Sequence, residues 1–387
     1  MKNSDSSTHA IPVIYFHSVA PQENPAWVLN FLTLKLIYFE EVLKYLVKNN
    51  YKSLFLEEYY HYKKDGKINH KNCICLTFDD GYLDNWIYAY PLLKKYNIKA
   101  TIFVNPASVD LKESIRKNLQ NYWDNQVAFK ELERWGYLSW DEMREMVSSG
   151  LVDIQSHTLT HTRYFVSDRL TGFHHPGADC LYPVGNIFPD RVPYYIEDKE
   201  FEKLIPYGFP FCEEKSAIIA RKIEINSDFI NEIVALLSKK IDWYNNYKFV
   251  QCLKFVQPIY NNYINKNEVI KNIEAQEEYQ LRVTTELQLS KSIIEHKLNK
   301  KVKFCGWPHG DNTMFTHQTA LSLGYLATTK GNMDINVNDY TRIERFGLNQ
   351  VRNSIILTRL KMHYKISSYQ HIFPYYQLKT IYNILHI

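Results

Sequence analysis

The chain has 387 residues, 45% hydrophobic and 23% charged, the balance of a folded globular protein with room for one large domain or two ordinary ones. Lysine and arginine outnumber aspartate and glutamate by only 46 to 42, which excludes the dense basic stripe of a nucleic-acid binder. No uncharged stretch approaches the ~20 residues of a membrane helix, and the apolar run over residues 11–16 is too short for a secretory leader. A cytoplasmic protein, at most peripheral at a membrane, is therefore expected. Cys73, Cys75, Cys180, Cys212, Cys252 and Cys305 are scattered and read as reduced thiols. Cys73 and Cys75 lack partners of metal-ligand spacing and read as core.

In chain order, the pattern predicts a strand over residues 11–16, a helix over 39–49, and strands over 53–56 and 74–78. A helix near 83–96, a strand over 100–104, a helix over 140–149 closed by Gly150, and a strand over 152–155 follow. Such alternation indicates parallel βα units. From Thr162 to about Thr285 it gives way to a segment rich in Pro, Gly and aromatic residues, then to Lys/Asn-rich helical sequence, which reads as an insertion. Alternation resumes with a helix from about residue 286 to 298, a strand over 303–306, a helix over 314–323 and a strand over 325–328. The expected fold is α/β, a distorted, TIM-like (β/α) barrel of about seven strands. Residues 1–161 form its first part, 162–285 the insertion at the active-site rim, and 286–387 the remainder with a basic, aromatic tail suited to packing on the barrel or touching a membrane.

Two strand ends carry chemistry. Thr77-Phe78-Asp79-Asp80-Gly81-Tyr82 sets adjacent carboxylates at the C-terminal end of a strand, where sites form in parallel βα folds. Two ionised neighbours repel, a conflict that a bound cation resolves; an isolated Asp-Asp-Gly also suits a helix N-cap. Ser156-His157-Thr158-Leu159-Thr160-His161 places imidazoles at i and i+4, on one face of a helical turn. Two imidazoles and a carboxylate are ordinary ligands for Zn²⁺ and related ions, with a position left for water. Alone, such a pair is also compatible with two surface histidines.

Together these motifs resemble the polysaccharide deacetylases of carbohydrate esterase family 4 (NodB-like). The resemblance implies that Asp79 is the catalytic base and that Asp80, His157 and His161 bind one divalent metal, Zn first, with Co, Ni, Fe or Mn as alternatives. It covers residues 11–164 and 286–348 and is nearest the poly-N-acetylglucosamine deacetylase branch. There an early strand ends in a Tyr-His pair, here Tyr15-Phe16-His17-Ser18-Val19, which makes His17 the candidate general acid; the bland reading is a core histidine. The branch's Trp-Pro-Tyr-Gly loop corresponds to Trp307-Pro308-His309-Gly310, expected to line the cleft, and the Tyr82 amide is expected to meet the oxyanion. Where many members carry an arginine that orients the base, this chain has Cys305, so the orientation of Asp79 is unexplained.

The insertion offers His174, His175, Tyr182, Arg191, Tyr194 and Tyr195 as substrate contacts. The expected function is N-deacetylation of an N-acetylated amino sugar in a polysaccharide, lipopolysaccharide or lipid-linked glycan, releasing acetate; a lipid-linked or lipopolysaccharide sugar suits a chain without an export signal. A non-catalytic glycan-binding module and a metal-dependent hydrolase of another amide are the alternatives.

Overall fold

The structure, a computed structural model, describes residues 10–65, 72–112, 114–240, 243–244, 247–333, 339–348, 350 and 353–378. Its frame is a curled parallel sheet. In chain order the strands are β1 (Val13–Phe16), β2 (Cys73–Phe78), β3 (Ala100–Val104), β4 (Val152–Ser156), β5 (Phe304–Cys305), β6 (Ala327–Thr329), β7 (Arg342–Ile343) and β8 (Phe346–Gly347). They lie in the order β7-β6-β5-β4-β3-β2-β1-β8, with a short ninth strand, Lys52–Ser53, against the start of β2. The edge strands β7 and β8 are consecutive in the chain, joined by Glu344 and Arg345, and no ladder pairs them. The sheet is thus a half-barrel whose seam carries that short link.

Successive strand residues face opposite sides of the sheet. Val13, Cys75, Phe103, Phe304, Ala327 and Ile343 cluster on the inner face, whereas Ile14, Leu76, Ile102, Val104 and Ile154 pack outward. The outward set meets the helices Leu36–Lys48, Trp140–Ser148 and Gln276–Leu298 through Phe39, Leu43, Met143, Met146, Val283 and Leu287. Covered on both sides, β2 and β3 are buried along their whole length, as parallel strands usually are. Continuing the inner parity beyond the strand ends brings His17, Asp79, Asn105, His157 and Arg345 to the mouth of the half-barrel.

Residues 163–273 form a second packing unit. The antiparallel pair Arg163–Phe173 and Pro210–Ser216 and the pair Ile223–Ile225 and Ile270–Ile273 accompany the helices Ser227–Ser238 and Phe249–Lys266. Leu170, Phe173, Phe229, Ile233, Leu237 and Val256 make a core of their own. The Lys/Asn-rich stretch is helical, as expected.

Several expectations need correction. The strand expected over 53–56 is only Lys52–Ser53, because Leu56 opens a helix, Leu56–Asp65, with Glu57 and Glu58 in its first turn, a favourable place for acidic groups. The helix expected near 83–96 is Tyr90–Tyr96 preceded by a wide π turn, Asn85–Ala89. The helix expected from about residue 286 begins at Gln276, since Tyr279 and Val283 already bury against the barrel. Strands β7 and β8 were not anticipated; each is two residues long and shows no period. The helix Ile355–Tyr369 packs on the barrel through Met362 and Ile366; the tail beyond residue 378 lies outside the described residues. All six cysteines are free and buried.

Candidate active site

The two carboxylates leave β2 in different directions. Asp79 keeps the strand's inward parity, while Asp80 adopts φ +72 and Gly81 φ +70, left-handed conformations that are costly for a non-glycine residue and typical of functional turns. A side chain at position 81 would also strike Val104, whose Cγ1 would lie 2.9 Å from the added Cβ. The turn thereby points adjacent carboxylates at different partners.

Asp80 faces the histidines. His157 Nε2 and His161 Nε2 lie 3.3 and 3.2 Å from its Oδ1, yet this buried oxygen has no properly directed hydrogen bond. One ligand atom from each of the three residues falls within 4.8 Å of the others, the sole such group of three or more His, Cys, Asp or Glu among the described residues. A buried carboxylate oxygen met by imidazole nitrogens and left without a directed partner fits a divalent cation. Burial alone would raise the Asp80 carboxyl, but His161 and His157 hold it well below its ordinary range.

The histidines do not sit on a helical turn as the i, i+4 spacing suggested. Residues 157–162 form an irregular loop with φ +65 at Thr158 and +53 at His161. Buried polar groups hold this shape. The Glu286 carboxylate accepts from the Leu159 and Thr160 amides, each at 3.1 Å, and from the Thr160 hydroxyl at 2.8 Å. Ser290 donates to the Thr158 carbonyl at 3.1 Å, and the Asn105 side-chain amide donates to the His157 carbonyl. Gly306 completes the seating of His157, since a Cβ there would lie 2.9 Å from its Nδ1.

Asp79 faces Arg345, on the link between the sheet's two edges. The guanidinium donates to both carboxylate oxygens, at 2.7 and 2.9 Å, and to the Thr77 hydroxyl at 3.1 Å. It stands 5.2 Å from the Tyr15 ring centroid and 5.3 Å from that of Phe103. Such a bidentate, aromatic-flanked fork fixes the carboxylate plane. Burial raises the Asp79 carboxyl, but Arg345 and His157 outweigh it and leave it below its ordinary range. The missing arginine is thus supplied from another place in the chain. The sequence does not mark it, because the two-residue β7 and β8 carry no strand signal; the inner parity Ile343, Arg345 is its only sign.

His17 Nε2 stands 4.0 Å from Asp79 Oδ2, and its carbonyl accepts from Asn85 at 2.8 Å. Trp307 and His309 line the same cleft, of about 450 Å³, with His17, Asp79, Asp80 and Arg345. Pro308, expected there too, is instead buried in the turn. His309 adopts φ +58, its ring lies 4.4 Å from that of His161, and burial, reinforced by the charges of His161 and Arg163, presses its pKa down to about 2, so it stays neutral. Its Nε2 lacks a partner. The bridge between Tyr82 and Tyr137 is closed by Leu83 N–H to the Gly136 carbonyl and Leu138 N–H to the Gly81 carbonyl, so the Tyr82 amide takes no part in it.

Of the six contacts offered by the insertion, Tyr182 alone lines the cleft. His174 is buried against the Glu202 carbonyl, His175 stacks on Tyr247, and Arg191 pairs with Asp198. Tyr194 covers the Lys112 ammonium, and Tyr195 accepts from the Trp27 indole at 2.6 Å.

Residues 66–175 match the family model for polysaccharide deacetylase. Over that stretch the chain is similar to the polysaccharide deacetylase family. It is 31% identical over 151 residues to YxkH of Bacillus subtilis (39% of this chain, 43% of that protein). It is 35% identical over 122 residues to the poly-beta-1,6-N-acetyl-D-glucosamine N-deacetylase of Staphylococcus aureus (31% of this chain, 35% of that protein). It therefore spans less than half the length of these relatives. Among solved structures, a de-N-acetylase from Aggregatibacter actinomycetemcomitans superposes with a TM-score of 0.53 at 17% identity, over 90% of this chain and 98% of that one. The Streptococcus pyogenes deacetylase PplD, in complex with acetate, gives a TM-score of 0.50 at 17% identity, over 91% and 96%. At such identities the superpositions speak to the fold, the deacetylase half-barrel. No helix of the described residues is long and apolar enough to cross a membrane.

Proposed function

We propose that this chain is a member of the polysaccharide deacetylase family and a metal-dependent N-deacetylase of an N-acetylated amino sugar in a polysaccharide, lipopolysaccharide or lipid-linked glycan. The observation that carries the reading is the division of labour between adjacent carboxylates, Asp80 turned to two histidines and Asp79 clamped by Arg345. Asp80, His157 and His161 hold the ion. A divalent ion bound there acidifies water and polarises the acyl carbonyl. Asp79 accepts the proton of the attacking water, and Arg345 keeps its carboxylate ionised and in one plane. The Tyr82 amide donates to the developing oxyanion, and His17 protonates the departing nitrogen. Trp307 and neutral His309 contact the sugar. The names of the staphylococcal relative and of PplD with acetate support this chemistry.

The test is acetate release from a panel of N-acetylated glycans before and after chelation and metal add-back, with elemental analysis. Metal-dependent release is expected. Tight glycan binding without any release would make the chain a binding module, and release from non-sugar amides alone would make it another amidase.

A further inference from the structure

Two cavities meet at the Asp80 and His161 side chains. The larger is the polar cleft, bordered also by Asp79, His17 and the charged side chains of Lys330, Glu344 and Arg345. The second, of about 170 Å³, shares with it Asp80, His161, Leu29 and Tyr182. Neither Asp79 nor His17 borders it. Its walls are Ala107, Tyr82 and Tyr137 from the barrel and Leu181, Pro189 and Val192 from the 163–273 unit.

Away from Asp80 and His161 this second cavity presents a mostly apolar surface, and four of its polar side chains are already bonded to protein. Thr160 donates to Glu286 at 2.8 Å, Thr162 to Asn186 at 2.7 Å, and Asn186 to the Arg163 carbonyl at 2.8 Å. Asn105 is committed to the His157 carbonyl. An apolar cavity of this order, near 150 Å³, holds a group of about the size of benzene.

The proposed deacylation assigns an occupant to each cavity. A new C–O bond forms between water and the acyl carbon, the C–N bond breaks, one water proton passes to Asp79, and the leaving nitrogen takes a proton from His17. The products are a carboxylate and an amine. The nitrogen must therefore lie on the His17 side, which puts the glycan in the polar cleft and turns the acyl substituent the other way. Building on the deacetylase reading, we propose that the second cavity is an acyl pocket which lets the enzyme remove N-acyl groups longer than acetyl, up to about six carbons.

The test uses the metal-loaded protein. Calorimetric titration compares acetate, butyrate and hexanoate, and amine release is followed from N-acetyl-, N-butyryl- and N-hexanoyl-glucosamine oligomers. Affinity is expected to rise about threefold to fourfold per methylene up to the pocket's limit. Ala107→Phe from the barrel and Val192→Phe from the other wall should each cut the hexanoate-to-acetate affinity ratio at least tenfold; if one fails to fold, the other carries the comparison. Equal affinity for all three carboxylates, or a ratio untouched by the filling variants, overturns the pocket. Chain-length-dependent binding with no amide hydrolysed keeps the pocket and removes the deacylase reading. Hydrolysis of acetyl amides with flat carboxylate affinities does the reverse.

Discussion

The mouth of the half-barrel and the 163–273 unit are built on opposite principles. At the mouth, charged and polar side chains are buried, several residues hold left-handed backbone, and Glu286, Ser290, Asn105 and Arg345 tie each functional group from a second direction. The 163–273 unit has its own apolar core; it has local ties such as Arg191 to Asp198 and Ser167 to Glu213, and it reaches the site through Tyr182 and the apolar wall of the second cavity. Strain of this kind persists where the surroundings over-determine it. On the proposed reading, the barrel performs the chemistry and the second unit selects what enters.

The largest effect that would break this comparison falls on the carboxylate pair. Asp80→Asn, His157→Ala and His161→Ala should each lose the metal in elemental analysis. Asp79→Asn should retain it and lose ~10²-fold or more in turnover, the scale of general-base removal. The family resemblance alone orders these roles; the proposal of that order is supported by Arg345 on Asp79 and the histidines near Asp80. Metal loss from Asp79→Asn together with retention in Asp80→Asn would reverse it.

A second experiment addresses independence. Phe229 is fully buried in the core of the 163–273 unit, so Phe229→Ala should cost about 3–5 kcal/mol. Hydrogen exchange should quicken across residues 223–270 while β2, β3 and β4 stay protected and metal occupancy holds. Loss of metal in this variant would show that the second unit helps build the site.

Arg345 sharpens the comparison on the barrel side. Arg345→Met leaves a buried carboxylate without its counter-ion, a change that costs about 3 kcal/mol. With its guanidinium gone Asp79 ionises at higher pH, so the rising limb of the pH–activity profile should shift upward while metal occupancy is kept. Adding Asp79→Asn should recover much of the lost stability. An unshifted limb would mean that Arg345 only braces the seam of the sheet.

How far these features were legible in the sequence follows from where their causes lie. Thr77-Phe78-Asp79-Asp80-Gly81 and His157 to His161 follow strands with clear apolar runs, and the long strands β2, β3 and β4 were placed within a residue or two. Arg345 was not legible, because two-residue strands have no period and their pairing depends on how far the sheet curls. Nor was the hold of Glu286 on the histidine loop, since Leu159 and Glu286 are brought together only by the packing of helix Gln276–Leu298. Local motifs announced the candidate ligands; long-range closure supplied what orients them.

The smallest effect concerns Asp84, which anchors the loop behind His17. It is buried, accepts from Ser18 at 2.5 Å and from Asn85 at 2.9 Å, and desolvation by burial, only partly offset by these hydrogen bonds, lifts its pKa from 3.8 to about 7. Between those values the folded state holds a proton that the unfolded chain has released. Stability therefore falls as pH rises through this window, by about 1.4 kcal/mol per pH unit at most, and levels off above it. Carboxylates held low, such as Glu40 and Glu274, act below the ordinary carboxylate range and in the opposite sense, so the difference between wild type and Asp84→Asn isolates the contribution. Denaturant melts at pH 5, 6, 7 and 8 should give a difference that changes steadily up to about pH 7 and is constant beyond it, with metal occupancy equal in both proteins. A difference independent of pH would place the ionised carboxylate in the folded state throughout, and the anchor of His17 would then be a charged one.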